Sequence, residues 1–309
     1  MRAQPLRIGT RGSPMALYQA ALVRDRLAAA HRDLAAPGAI EIVVIRTTGD
    51  RVQHRLLAEI GGKGLFAKEI EEALQDGRVD VAVHSLKDLE TFLPVGLHLA
   101  CILPRDDPRD AFISRDGTRF ADLPVGTVIG TASLRRQAQL LRLRPDLRVV
   151  PMRGNADTRL RKLAAGEVDA TLLAWCGLQR IGAAAQATEI LPPELMLPAV
   201  GQGALALECR IADAVTAARV APLQDPLSAA CIAAERAMLA ALDGSCRTPI
   251  AGLAAVADDR LTLEGLLLEA DGSAERRARI SGTIGEAVML GRTLGSQLRR
   301  EAGTGFGFG

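Results

Sequence analysis

For about the first 200 residues, short apolar runs alternate with capped, amphipathic stretches, and this rhythm restricts the fold more than any other feature. Strand, helix and strand in succession build a mainly parallel sheet with helices on both faces. Residues 6–9 read as a strand, and Ser13 followed by Pro14 reads as the cap and first residue of a helix reaching about Ala30. Residues 40–46 read as the next strand, and 65–75 as a helix ended by Gly77. The apolar run 79–84 reads as a buried strand that stops abruptly in Ser85, Leu86, Lys87 and Asp88. Ligands of open α/β sheets collect just beyond the carboxyl ends of strands, so these side chains are candidates for a site.

Residues 103–110 hold two prolines among charges and read as a surface connection. The pattern then restarts, with strands at 128–130, 148–151 and 168–174 and helices at 134–143 and 157–165. A second junction, 197–203, precedes a strand at 204–209. The remainder differs: a long amphipathic helix at 225–242, a tight loop around Cys246, alternating segments at 250–256 and 261–269, and a closing helix at 286–300. That pattern predicts a smaller α+β domain.

Composition narrows the function. A net charge of only +2 argues against non-specific binding to nucleic acid. All but four of the 38 basic residues are arginine, the better residue for two-pronged binding of carboxylates. The five cysteines are dispersed and form no C-x-x-C, and no signal peptide is evident, so reduced thiols and a cytoplasmic setting are expected. No apolar run approaches the roughly 18 residues of a membrane span. The four histidines have no metal-ligand spacing, so no metal is expected.

Arg11 and Ser13 stand at a helix N-terminus, a position suited to an anion, although Ser13 as a plain cap explains it equally well. Thr131, Ser133, Arg135 and Arg136 repeat that arrangement. Neighbouring helical positions point about 100° apart, so one arginine is expected at the site and the other at its rim. Arg153 and Arg159 flank a further strand-to-helix turn, and Arg180 follows another strand. Each alone reads as surface; together they predict a shared anion site at one end of a sheet. Asp88 can stabilise a cation or move protons, or simply pair with Lys87. The glycines around Lys63 lack the order of a triphosphate loop and fit a mobile cover. Cys246, in a loop, is the candidate nucleophile or attachment point, whereas Cys231, Cys176 and Cys209 read as packing.

Taken together the motifs resemble the hydroxymethylbilane synthase (porphobilinogen deaminase) family. The matching segments are residues 8–14, 61–66, 84–88, 108–112, 130–136, 153–155, 197–204 and 244–246, in the family's order and over nearly the whole chain. The resemblance implies an α/β fold with two lobes like type II periplasmic binding proteins and a smaller α+β C-terminal domain. It implies a first domain of residues 1–103 and 200–221, a second of 104–199 and a third of 222–309. It also implies a dipyrromethane cofactor held by a thioether to Cys246, and a transferase that joins four porphobilinogen molecules head to tail with loss of ammonia. In that reading Asp88 and Lys87 are catalytic. Ser85, Thr131, Ser133, Arg135, Arg136 and Arg153 hold the cofactor with them, and Arg11, Ser13, Arg153, Arg159 and Arg180 hold substrate carboxylates. Lys63 and Phe66 lie on a mobile loop, and the enzyme works as a cytoplasmic monomer on a small molecule, without nucleic acid, membrane or metal.

The chain departs from the family at Leu89-Glu90-Thr91-Phe92, where a hydrophobic residue and proline are usual, at Cys176, at Ala132, and in the glycine- and phenylalanine-bearing tail. Two rival readings are a two-lobed carboxylate-binding protein, which needs no third domain, and a cysteine hydrolase using Cys246.

Overall fold

The computed structural model describes residues 4–47, 67–243, 248–303 and 306. The expectations for Lys63, Phe66 and Cys246, and for most of the tail, therefore lie outside the described residues. In chain order the first elements are β1 (Leu6–Thr10), α1 (Pro14–Ala30), β2 (Ile40–Val44), α2 (Lys68–Gln75), β3 (Val81–Ser85) and β4 (Leu97–Ile102). There follow β5 (Asp110–Ser114), β6 (Val128–Gly130), α3 (Leu134–Leu143), β7 (Arg148–Val150), α4 (Ala156–Ala164), β8 (Ala170–Ala174), α5 (Trp175–Arg180) and β9 (Glu189–Leu191). The chain ends with β10 (Leu205–Arg210), α6 (Ala214–Val220), α7 (Pro226–Ala241), β11 (Ile250–Ala257), β12 (Arg260–Leu268), β13 (Glu275–Thr283) and α8 (Ala287–Ala302).

Two compact units emerge, residues 1–105 with 204–229, and residues 106–203 with 230–309. The first holds a five-stranded sheet ordered β2-β1-β3-β10-β4, and the second one ordered β7-β6-β8-β5-β9. In each, the second-placed strand pairs in parallel with both neighbours, while the fourth-placed strand runs antiparallel to the central one. Those antiparallel strands, β10 and β5, are the first strands after the two junctions. The fold is thus α/β with two lobes of one plan, as expected of type II periplasmic-binding-protein-like lobes, but each sheet is mixed.

Local chemistry accounts for several elements. Ser13 caps α1, its Oγ accepting from the Ala16 N–H at 3.2 Å, with Pro14 in the first turn. Ser133 and Asn155 cap α3 and α4 in the same way. Strand β3 starts at Val81 rather than 79: the Asp80 carboxylate, not a β3 backbone carbonyl, accepts the Arg7 N–H at 2.9 Å, and it also accepts the Arg7 guanidinium at 2.7 Å. The stretch 175–180, after the strand expected at 168–174, forms the short helix α5.

On one side of the first sheet α1 closes a core of Ile8, Val23, Leu27, Val81, Val83 and Leu207. On the other, α2 packs Ile70, Ala73 and Leu74 against Val79 and Ala82. The expected α+β domain is an antiparallel meander, β11-β12-β13, covered by α7 and α8. Its first turn places Asp258 and Asp259 at φ 47° and 57°, the geometry of a two-residue hairpin that matches the twist of its strands. Helices α7 and α8 approach closely because Gly291 faces the Ala234 carbonyl, where a Cβ has no room.

Candidate active site

In the first unit, β3 delivers Ser85 at its carboxyl end, and the single turn Leu86–Asp88 follows. Buried Leu86 pins that turn, and its N–H donates to the Ala204 carbonyl at 3.1 Å. Asp88 is exposed, so its carboxylate stands ready for an incoming molecule. Ser85 Oγ accepts from Gln19 Nε2 at 2.7 Å and lies 3.1 Å from Gln19 Oε1. Gln19, buried on α1, is a partner sequence reasoning missed. Arg11 and Ser13 lie between β1 and α1; the Ser13 oxygen serves as the cap, leaving its proton for an anion.

The second unit gathers its candidates at one end. Thr131 to Arg136 follow β6, Arg153 follows β7, Arg180 closes the helix after β8, and Asp110 opens antiparallel β5. This is the expected clustering at one end of a sheet. The expectation that Arg135 and Arg136 diverge is overturned. Both are 5% exposed, and both reach Asp110, which is fully buried. Arg135 Nη2 donates to Asp110 Oδ2 at 2.7 Å and Arg136 Nη2 to Oδ1 at 2.8 Å. Long guanidinium side chains bridge the angular separation of their backbones. The connection read as surface at 103–110 therefore ends in the core, because two cations compensate its last carboxylate.

Burial alone would raise the Asp110 carboxyl, but the Arg135 and Arg136 guanidiniums override it and hold it well below the usual range. Gln202 Nε2 also donates to Asp110 Oδ1 at 2.7 Å. Arg135 Nη1 and Arg136 Nη1 donate to the Leu197 and Leu172 carbonyls at 2.7 and 2.9 Å. Arg135 Nε, also buried, has no hydrogen-bond partner among the described residues. Two buried cations thus share one carboxylate, a cluster with positive charge to spare.

The other arginines differ in setting. Arg180 donates to Asp106 at 2.7 Å and to the Gly203 carbonyl at 3.0 Å, tying the two ends of its lobe. Arg159 Nε donates to the Gly154 carbonyl at 2.9 Å, folding onto the turn that Arg153 opens. Gly154 has φ 122°, and a Cβ there would collide with Thr158, so this turn requires glycine. Cys101, Cys176, Cys209 and Cys231 are all buried, and burial pushes the Cys101 and Cys209 thiols up to about 12, out of nucleophilic range. Among the described residues no His, Cys, Asp and Glu group could hold a metal ion. No helix there is long and apolar enough to cross a membrane.

Comparison with known proteins bears on this arrangement. Residues 6–218 match the family model "Porphobilinogen deaminase, dipyromethane cofactor binding domain", and residues 229–300 match "Porphobilinogen deaminase, C-terminal domain". Relatives named porphobilinogen deaminase include one from Nitrobacter hamburgensis, 53% identical over 97% of this chain and 94% of its own. Another, from Nitrobacter winogradskyi, is 52% identical over the same shares. Similar solved structures include a glutathione-bound periplasmic binding protein from Brucella ovis, with TM-score 0.42 and 18% identity, covering 78% of this chain and 69% of that one. The periplasmic aliphatic sulphonate binding protein SsuA from Escherichia coli gives TM-score 0.39 and 16% identity, covering 78% and 71%. With both family models in sequence order and half-identical relatives matched almost end to end, the chain belongs to the porphobilinogen deaminase family.

Proposed function

We propose that the chain is a transferase that joins four porphobilinogen molecules head to tail, releases ammonia and frees the linear tetrapyrrole hydroxymethylbilane, in tetrapyrrole and haem biosynthesis. The observation that carries the reading, within this family, is the buried Arg135–Asp110–Arg136 cluster. Dipyrromethane and every added pyrrole bear acetate and propionate groups. Surplus buried positive charge and the partnerless Arg135 Nε fit such a carboxylate-bearing group.

Cys246 is the proposed thioether attachment point. The four described cysteines are buried, which supports a loop thiol in that role. When bound, dipyrromethane supplies a nucleophilic pyrrole α-carbon on which the product grows. Thr131, Ser133, Arg135, Arg136 and Arg153 are proposed to hold cofactor carboxylates, with Arg159 and Arg180 for those of the substrate. Ser85, Lys87 and Asp88 are proposed for the same chemistry, with Arg11 and Ser13 as further anion donors, and Lys63 and Phe66, outside the described residues, for the mobile loop that the family resemblance implies. As the C–N bond of porphobilinogen breaks and ammonia leaves, the substrate becomes a methylene-pyrrole cation. Asp88 accepts that cation's pyrrole N–H and moves the proton lost after the new C–C bond forms. Exposure of Asp88 supports this, since the group must meet successive substrates.

Three domains, 1–103 with 200–221, 104–199 and 222–309, are supported by three separate sheets. We place the enzyme in the cytoplasm as a monomer. The test is the intact mass of the denatured protein beside its Cys246→Ser variant, with turnover of porphobilinogen. An excess of two linked pyrrole units on the parent alone, with ammonia release, is expected. An unmodified parent that gains nothing from porphobilinogen overturns the reading in favour of a carboxylate-binding protein.

A further inference from the structure

Three titratable side chains are buried on the face of the first sheet turned away from Ser85 and Gln19. Alternation along β3 sends Ser85 to the α1 side and His84 to the α2 side. The β10 register sets Ala82 opposite Glu208 and Ala206 opposite His84, so Glu208 and His84 share that face as diagonal neighbours. His84 Nε2 lies 2.9 Å from Glu208 Oε2, and the two residues are 7% and 0% exposed. Glu71 of α2, also 7% exposed, faces the same place. Neither Glu71 Oε1 nor Glu208 Oε1 has a hydrogen-bond partner among the described residues.

Stability does not account for this cluster, because replacing buried, paired polar groups by well-packed apolar residues is often neutral. Its position does. The four residues after His84 are Ser85, Leu86, Lys87 and Asp88, and β10 grips that end through Leu205 opposite Ser85 and the Leu86 N–H on Ala204. We infer that Glu208 is a positioning residue for the proposed reaction: by holding His84 it fixes the direction in which the β3 end presents Lys87 and Asp88. The inference rests on the proposed role of Asp88.

Glu71 of α2 faces the pair, and Glu90 beyond the turn and the exposed Glu72 add smaller repulsions on Glu71. Burial first, then Glu208, pushes the Glu71 carboxyl up to about 7, with His84 opposing. Above that pH Glu71 gains a charge that repels Glu208 across the same buried space and disturbs its hold on His84, so turnover falls on the alkaline side.

The test compares the parent with Glu208→Gln, and with His84→Gln, which keeps an N–H toward Glu208. Readouts are cofactor mass, kcat and KM for porphobilinogen against pH, and hydrogen exchange of amides 84–89. For Glu208→Gln we expect full cofactor mass, kcat lower by about tenfold with KM little changed, a shifted alkaline limb and faster exchange at Leu86. His84→Gln is expected to retain most of kcat. Parent-like kcat, pH profile and exchange in Glu208→Gln overturn the inference, as does a loss that merely tracks unloaded or unfolded protein. If Glu208→Gln does not fold, His84→Leu, which removes the hydrogen bond to Glu208, carries the test: parent-like exchange at Leu86 together with parent-like kcat overturn the inference. A parent that neither carries the cofactor nor consumes porphobilinogen defeats the functional reading instead, and the exchange arm still reports whether Glu208 orders the strand end.

Discussion

Arg135 Nη2 lies 2.7 Å from Asp110 Oδ2, both groups withdrawn from solvent, and Arg136 reaches the other oxygen of the same carboxylate. The cluster joins the first residue of β5 to the first turn of α3, at the end of the sheet where the site residues collect.

Asp110→Asn leaves two buried guanidiniums without a counter-charge. Loss of one partner of a buried pair costs about 3–5 kcal/mol, to be read from denaturant unfolding. The Asp110 carboxyl is depressed in the fold, so its contribution is present above the unfolded value of about 4 and is lost as pH falls below it. The parent therefore loses stability on acidification more steeply than Asp110→Asn.

Glu71 has the opposite sign. Its folded carboxyl titrates at about 7 against a reference of 4.5, so the fold holds a proton that the unfolded chain has released. Stability is full below pH 4.5, falls as pH rises to about 7, and is then level, a loss of up to about 3 kcal/mol. Glu71→Gln removes that slope. Unfolding curves of both proteins across this range check it, and an unchanged slope contradicts it.

Asp88→Asn keeps the fold, since Asp88 is exposed, and keeps the covalent cofactor, while turnover drops by about 10² or more. Near-parent turnover at full cofactor load removes Asp88 from the reaction.

Arg153→Leu impairs cofactor loading or chain growth, because it withdraws one guanidinium from the anion-holding end of the second sheet. Intact mass separates the two effects: low occupancy shows failed loading, and full occupancy with slow product release shows failed elongation. Full occupancy and full rate together refute the assignment.

Gly291→Ala drives a Cβ into the Ala234 carbonyl, where helix backbone cannot yield, and overpacking of this kind costs about 1–3 kcal/mol. Gly285→Ala, with open space around it, is the control. Thermal unfolding of both variants reads the difference, and equal midpoints contradict the packing argument.

Much of the fold was legible because local chemistry decides it. Ser13-Pro14 marks the start of α1, Ser133 caps α3, and the turn at Asp258-Asp259 separates two strands of the meander. The elements that escaped are short or answer to distant partners. Strand β4, at Leu97–Ile102, lies at the edge of its sheet beside β10, which returns from far along the chain. Strand β5 hides behind a charged, proline-rich stretch whose last residue looks solvated until its partners are known. The apolar run Ala111-Phe112-Ile113 was the available signal for it.

By itself, the sequence determined the order of the local elements, the ordered motif set that marks the family, and the Ser85–Asp88 segment as candidate chemistry at a strand end. Tertiary structure alone decided which charged groups are buried and what they face. Asp110 meets Arg135 across 25 positions, Ser85 meets Gln19 across 66, and His84 meets Glu208 across 124. A charge is stable in the interior only when distant segments supply its partner, and that compensation has no local signature in the chain.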